Sequence, residues 1–128
     1  MRAIVCGDHT WDDREAVWYI LDRLPHLYGF EITVLIEGGA RGVDTYARQW
    51  AEKHDIPFYE RKANWKKYGY SAGPIRNGEL IAYYDPEAVV AFPGGRGTAN
   101  MVKRAREKGI PVYEVGGALN ERTKSEDS

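Results

Sequence analysis

Short apolar runs alternate along this chain with stretches of helical period. The runs are Ala3–Cys6, Ile32–Ile36, Pro57–Glu60, Ala88–Phe92 and Pro111–Val115. Runs of this length, bounded by glycine, proline or polar residues, predict strands buried on both faces of a parallel sheet. Between them, Ala16, Val17, Ile20, Leu21 and Leu24 form one helical stripe, and Val43, Ala47, Trp50, Ala51 and His54 a second. Met101, Val102 and Ala105 form a third. Thr10 with Asp13 three residues later marks the start of the first helix. Pro74 suits the first position of another, whose pattern over Ile75–Tyr84 is interrupted by Gly78. This alternation predicts right-handed crossovers and an α/β fold. We expect one doubly wound parallel sheet of about five strands, in order 3-2-1-4-5, with helices on both faces. Residues 1–116 read as one domain and 117–128 as a polar tail. The connection Arg61–Asn77 is long and rich in aromatic and basic residues, which in compact domains goes with function.

Two glycine-rich segments fall between a predicted strand and a predicted helix. The first is Glu37-Gly38-Gly39-Ala40-Arg41-Gly42-Val43-Asp44 and the second Phe92-Pro93-Gly94-Gly95-Arg96-Gly97-Thr98. Glycine permits close backbone approach and positive φ. A helix N-terminus adds free amide protons and a partial positive charge, so both segments suit an anion. The alternative is a pair of tight turns, with Asp44 capping its helix. The second segment lacks the lysine of a P-loop and the spacing of a dinucleotide fingerprint. In a 3-2-1-4-5 sheet the loop after the first strand, Gly7-Asp8-His9, faces the second glycine segment across the switch point. Asp13 belongs to the same loop, and Trp11 there reads as a packing residue. In the long connection, Trp65 and Tyr68 are candidates to stack on a base, and Arg76 with Asn77 to reach a phosphate. The opposing reading makes these aromatics part of a subunit interface.

Composition narrows the classes. The chain has 128 residues, 43% of them hydrophobic, and a formal net charge of −1. There is no global basic field to attract duplex nucleic acid. The single cysteine, Cys6, excludes an internal disulfide framework and fits a reducing, cytoplasmic setting. It reads as inert core, and His26 and His54 as structural. No apolar run reaches the length of a membrane span, and the first residues break at Gly7 too early for a signal peptide. No metal site and no cofactor are expected. Four Trp and nine Tyr exceed what one small core needs, so Trp18, Tyr19, Tyr83 and Tyr84 are candidates for a homo-oligomer interface, dimer or higher.

The glycine segments and Ala72-Gly73-Pro74-Ile75-Arg76-Asn77, in this order and spacing, resemble the YpsA-related SLOG family from Met1 to about Val115. That resemblance implies a Rossmann-like sheet and a nucleotide or nucleotide-derived ligand. LOG phosphoribohydrolases of the same superfamily carry a Pro-Gly-Gly-x-Gly-Thr loop with a catalytic glutamate three residues after the threonine. Pro93–Thr98 match that loop, but the glutamate position is Met101. The resemblance also implies an arginine near His9, which is absent.

Three functions follow as expectations. The first is a binding or sensor protein for a nucleotide-like small molecule. Gly38, Gly39 and Gly42 with Pro93, Gly94, Gly95 and Gly97 would allow close approach, and Thr98 would donate its hydroxyl. Arg41, Arg76 and Arg96 would supply charge, and Asp44 would cap its helix or accept from a ribose. The second is N-glycosidic hydrolysis, which needs a carboxylate. Glu37 and Asp44 are the candidates, with Asp8 and Asp13 behind them. The third is single-stranded nucleic-acid binding through Arg41, Lys62, Lys66, Lys67, Trp65 and Tyr68, disfavoured by the net charge.

Overall fold

A computed structural model describes residues 1–120. Five strands form one parallel sheet: β1 (Arg2–Cys6), β2 (Val34–Glu37), β3 (Phe58–Glu60), β4 (Ala88–Ala91) and β5 (Val112–Glu114), in order β3-β2-β1-β4-β5. Register follows the pleat. Ile4 lies beside Ile36 on one side and Val89 on the other. The helices are α1 (Arg14–Tyr28), α2 (Val43–Lys53), α3 (Trp65–Tyr68), α4 (Ala72–Tyr84) and α5 (Arg96–Glu107). The architecture is the expected doubly wound, Rossmann-like one.

The period of two along a strand sorts the core into two layers. Ala3, Val5, Leu35, Ala88 and Val90 point to the layer shared with α1 and α2. Ile4, Ile36 and Val89 point to the other, where Leu80 of α4 and Met101 and Ala105 of α5 close over them. Residues such as Ile4, Leu35 and Val5 are fully buried, and each contributes about 2 kcal/mol of transfer free energy.

Local chemistry sets the helix ends. Asp13, not Thr10, caps α1, its carboxylate accepting from the Ala16 amide at 3.0 Å. Gly29 closes α1 in the left-handed region, with φ 79. The Trp11 ring sits edge-on to Phe92 and its Nε1 donates to the Asp13 carbonyl.

Two expectations are corrected, and the helix expected over Ile75–Tyr84 is present. The Pro57–Glu60 run forms β3, but as an edge strand it is exposed at every position, with Phe58 and Tyr59 36% and 51% accessible. The Arg61–Asn77 connection is not one loop: Asn64 caps the short α3 by accepting from Lys67 N, and α4 already begins at Ala72. Gly78 does not break α4; it leaves room for the Arg104 guanidinium, which a Cβ would meet at 3.1 Å.

Trp18 donates to the Tyr46 carbonyl at 2.9 Å and lies between Arg14 and Lys53, while Tyr19 carries Arg23 on its face. Tyr83 is exposed beneath Arg61, and Tyr84 stacks on Tyr59. Residues 116–120 are helical, and Ala118 and Leu119 pack against the first core layer. The rest of the expected tail, 121–128, lies outside the described residues. No helix among the described residues is long and apolar enough to cross a membrane.

Candidate functional site

In a parallel sheet all strands end on the same side. The loops after β1, β2 and β4 therefore share one rim, and β1 lies between the other two. They touch. The Asp8 amide donates to the Pro93 carbonyl at 3.1 Å, and the Val43 amide donates to the Asp8 carbonyl at 3.3 Å. Gly42 (φ 70, ψ −128) packs directly on the backbone of Asp8 and His9. A side chain there meets both a forbidden backbone conformation and a collision. Gly42→Ala is expected to cost about 3 kcal/mol in a urea unfolding titration; a neutral result would mean that the contact between the two loops yields easily.

The first glycine segment is closed by the protein's own acids. Glu37, the last residue of β2, is fully buried, and its Oε1 accepts from the Gly39 amide at 2.6 Å. Asp44, in the first turn of α2, is 5% exposed, and its Oδ2 accepts from the amides of Gly38 and Ala40 at 3.2 Å each. Thr45 Oγ1 ties back to the Ala40 carbonyl. Asp44 thus caps the loop rather than its own helix, which Gly42 begins without a side-chain cap. The amides of Gly38, Gly39 and Ala40 are committed internally, so this loop offers a ligand the exposed Arg41 side chain rather than that row of donors.

Burial governs the electrostatics. Glu37 is pushed up to about 9, by desolvation first, then by the Asp44 charge and by sharing a hydrogen bond with Glu60. It therefore holds its proton at neutral pH. Its Oε2 finds no conventional donor, which fits a carboxyl that itself donates, to its in-register neighbour Glu60 on β3. Asp44 rises to about 6 by burial, held down by the Ala40 amide, the Arg76 charge and the Gly38 amide. The half-buried Cys6 thiol is raised by burial and by Asp44, which disfavours its thiolate.

Helix α4 braces the rim from the other face. Arg76 Nη1 donates to the Gly38 carbonyl, and its Nε donates to Asn77 Oδ1 at 3.0 Å. The Asn77 amide, 3% exposed, donates to the Gly97 carbonyl and to Asn100 Oδ1, both at 3.1 Å. Arg104 Nε completes the chain on Asn100. Arg76 and Asn77 therefore connect the two glycine segments to each other. Both were expected to face a phosphate; the structure uses them as spacers between loops. Asn100, Arg104 and Glu60 were not expected at the rim. The acidic partner of Glu37 becomes visible only once strand register is known.

The second glycine segment stays open. Residues 93–97 are exposed, and Thr98 is half-buried. Gly95 starts α5 with no side-chain cap on its first turn. Gly94 packs so closely that a Cβ would strike the Thr98 side chain and lie 3.0 Å from the Asp8 amide. Arg96 is exposed. Asp8 folds its own turn, Oδ1 accepting from the Thr10 amide at 2.8 Å and the Thr10 hydroxyl at 2.7 Å, which holds its carboxyl below the usual range. His9 is 77% exposed on its side chain, 3.9 Å from Asp8. Trp65 lies over Gly73, 3.2 Å from where a Cβ would stand, yet 59% of it is exposed. Tyr68 and Tyr70 beside it are 40% and 100% exposed.

Neither hydrolytic candidate sits where a substrate could reach it. Glu37 is sealed beneath the first loop and Asp44 nearly so, and Met101 is 1% exposed in the second core layer. Two grooves flank the rim. One of about 740 Å³ runs from the second loop between α5 and β5. One of about 370 Å³ lies by Gly39, Arg48, Glu60 and Lys62. Among the described residues no cluster of three metal-capable side chains occurs.

Fold and rim together define a Rossmann-like α/β domain with glycine-rich loops at the carboxyl ends of its strands. The chain belongs to the YspA, cpYpsA-related SLOG family, whose model matches residues 1–68. That segment contains the first glycine loop and ends with α3; Pro93–Thr98 lie beyond it. The Gene 61 protein of Mycobacterium phage D29 is 34% identical over 122 residues, covering 90% of this chain and 96% of that protein. No solved structure matches the chain.

Proposed function

We propose that this protein binds a nucleotide or nucleotide-derived phosphate ligand, with the phosphate on the Gly94–Thr98 turn. The observation that carries the reading is the contrast between the two loops. In the first, buried carboxyls take the amides of Gly38, Gly39 and Ala40. In the second, the uncapped first turn of α5 meets solvent beside the Thr98 hydroxyl. Uncapped amides at a helix start, with the helix dipole behind them, favour an anion. Membership of the SLOG family supports a nucleotide-related ligand. Gly95 and Gly97 supply close approach, Thr98 a hydroxyl, and Arg96 and Arg41 charge from either side. Pro93 and Gly94 hold the turn against Asp8, and Gly7 lets β1 leave the sheet beside Val43 and Phe92.

Binding is favoured over hydrolysis because the two carboxyls first in line for N-glycosidic cleavage, Glu37 and Asp44, are buried beneath the other loop. A second reading, single-stranded nucleic acid, draws on exposed Trp65, Tyr68 and Tyr70 beside Lys62, Lys66 and Lys67 at the same rim.

Titration calorimetry against nucleoside mono- and diphosphates, cyclic dinucleotides and ADP-ribose tests the proposal. At least one is expected to bind, and Thr98→Val to weaken it about tenfold through loss of one charge-assisted hydrogen bond. Heat from none of them overturns the proposal. Binding only to an oligonucleotide, falling steeply with salt, favours the second reading. Release of free base in the same mixtures would reinstate hydrolysis.

A further inference from the structure

Resting on that reading, we infer that the groove between α5 and β5 receives a second phosphate, so that the ligand is a nucleoside diphosphate or another pyrophosphate-bearing nucleotide. The switch-point crevice itself is crowded. Asp8 bonds to Pro93, Gly42 packs on Asp8 and His9, and Gly94 packs on the Asp8 amide. The space that opens from the second loop lies on its other side. It has a volume of about 740 Å³, within the size range of small-molecule sites.

The groove follows one face of α5. Ala99, Val102, Lys103 and Arg106 line it at the i, i+3, i+4, i+7 spacing of a single helical stripe. Pro93 and Thr98 stand at its head, so it is continuous with the phosphate turn. Of its charged residues, Lys103 is nearest in the helix to that turn and has no ion-pair partner among the described residues. Arg106 is already paired with Glu114 at 3.1 Å. Glu107, one turn beyond Lys103, also lines the groove.

This order of charges matches one kind of guest. Thr98 and Lys103 are separated by about 7.5 Å of helix rise. Helical side chains lean toward the N-terminus, so the ammonium reaches back toward the turn. A terminal phosphate on the Gly95–Thr98 amides leaves the next phosphate facing Lys103. The nucleoside then continues over Val102 to Glu107 and Glu114, whose carboxylates accept hydrogen bonds from ribose hydroxyls or a base amino group. A monophosphate fills only the turn and leaves Lys103 unused.

The test compares mono- and diphosphates of adenosine, guanosine, cytidine and uridine by calorimetry, on the wild-type chain and on Lys103→Ala. For the nucleoside that binds, the diphosphate is expected to bind at least tenfold more tightly. Lys103→Ala should reduce the diphosphate to the monophosphate's affinity and leave the monophosphate unchanged. Lys108→Ala, which removes an exposed charge at the end of α5 outside the groove, controls for net charge and should leave the ratio intact. Equal binding of the two forms, or a ratio that survives Lys103→Ala, overturns the groove assignment while the phosphate turn stands. A ratio lost equally in Lys108→Ala also overturns it. If no member of the series binds, and none of the wider panel does, the phosphate turn falls and the groove with it.

Discussion

Replacing Glu37 by glutamine is expected to raise the melting temperature by about 10 °C at pH 7 and to leave it nearly unchanged at pH 4.5. Glu37 is fully buried next to Asp44 and Glu60, and its carboxyl is pushed from 4.5 up to about 9. Between those two values the folded protein keeps a proton that the unfolded chain has already released. Stability from this group is therefore complete below about 4.5 and declines as pH rises toward about 9. At pH 7 the loss amounts to about 3 kcal/mol. Glutamine mimics the protonated acid: its carbonyl still accepts from the Gly39 amide and its NH₂ donates to Glu60, without a proton to lose. Circular-dichroism melts of both proteins across this range give the answer. A difference that does not vary with pH, or a glutamine variant that melts lower at pH 7, would show that Glu37 is not held neutral by its surroundings.

That buried pair also marks where sequence reasoning stops. The sheet was legible because β1, β2 and β4 are short apolar runs without polar alternation, and such runs have few places to go except the middle of a parallel sheet. The same logic failed on β3. Phe58 and Tyr59 look like interior residues, but at the edge of the sheet they are only partly covered, Tyr59 by Tyr84 of α4, and stay largely in solvent. The glycine segments were legible as strand-to-helix turns at one rim. Their different states of occupation were not. An acid two residues before or after a glycine reads alike whether it turns outward to a ligand or inward to an amide, and Glu37 and Asp44 turn inward. Arg76 and Asn77 misled in a related way. A long connection was expected to present them to a ligand, yet α4 begins four residues before Arg76 and turns both side chains under the loops. Direction is a property of the helix start, and Gly73-Pro74 concealed that start by offering a plausible later one.

Asp44→Ala is expected to destabilise the protein by about 3–4 kcal/mol, whereas Asp44→Asn should remain within about 1 kcal/mol of wild type or exceed it at pH 7. The alanine removes the acceptor for the Gly38 and Ala40 amides, both in a loop that α2, Lys62 and Arg76 shield from water. Each stranded donor costs about 1–3 kcal/mol, and the Arg76 guanidinium loses a neighbouring negative charge. Asparagine keeps the oxygen in place and removes only the charge. The charge is itself a burden, because burial raises Asp44 from 3.8 to about 6. The native state therefore holds the proton longer than the unfolded chain, and ionising it as pH climbs through that interval lowers stability. Urea titrations of the two variants at pH 7 separate acceptor from charge. If asparagine falls as far as alanine, the Asp44–Arg76 attraction rather than the amide contacts keeps the first loop closed. If neither falls, the loop needs no internal anion, and its amides are available to a ligand after all.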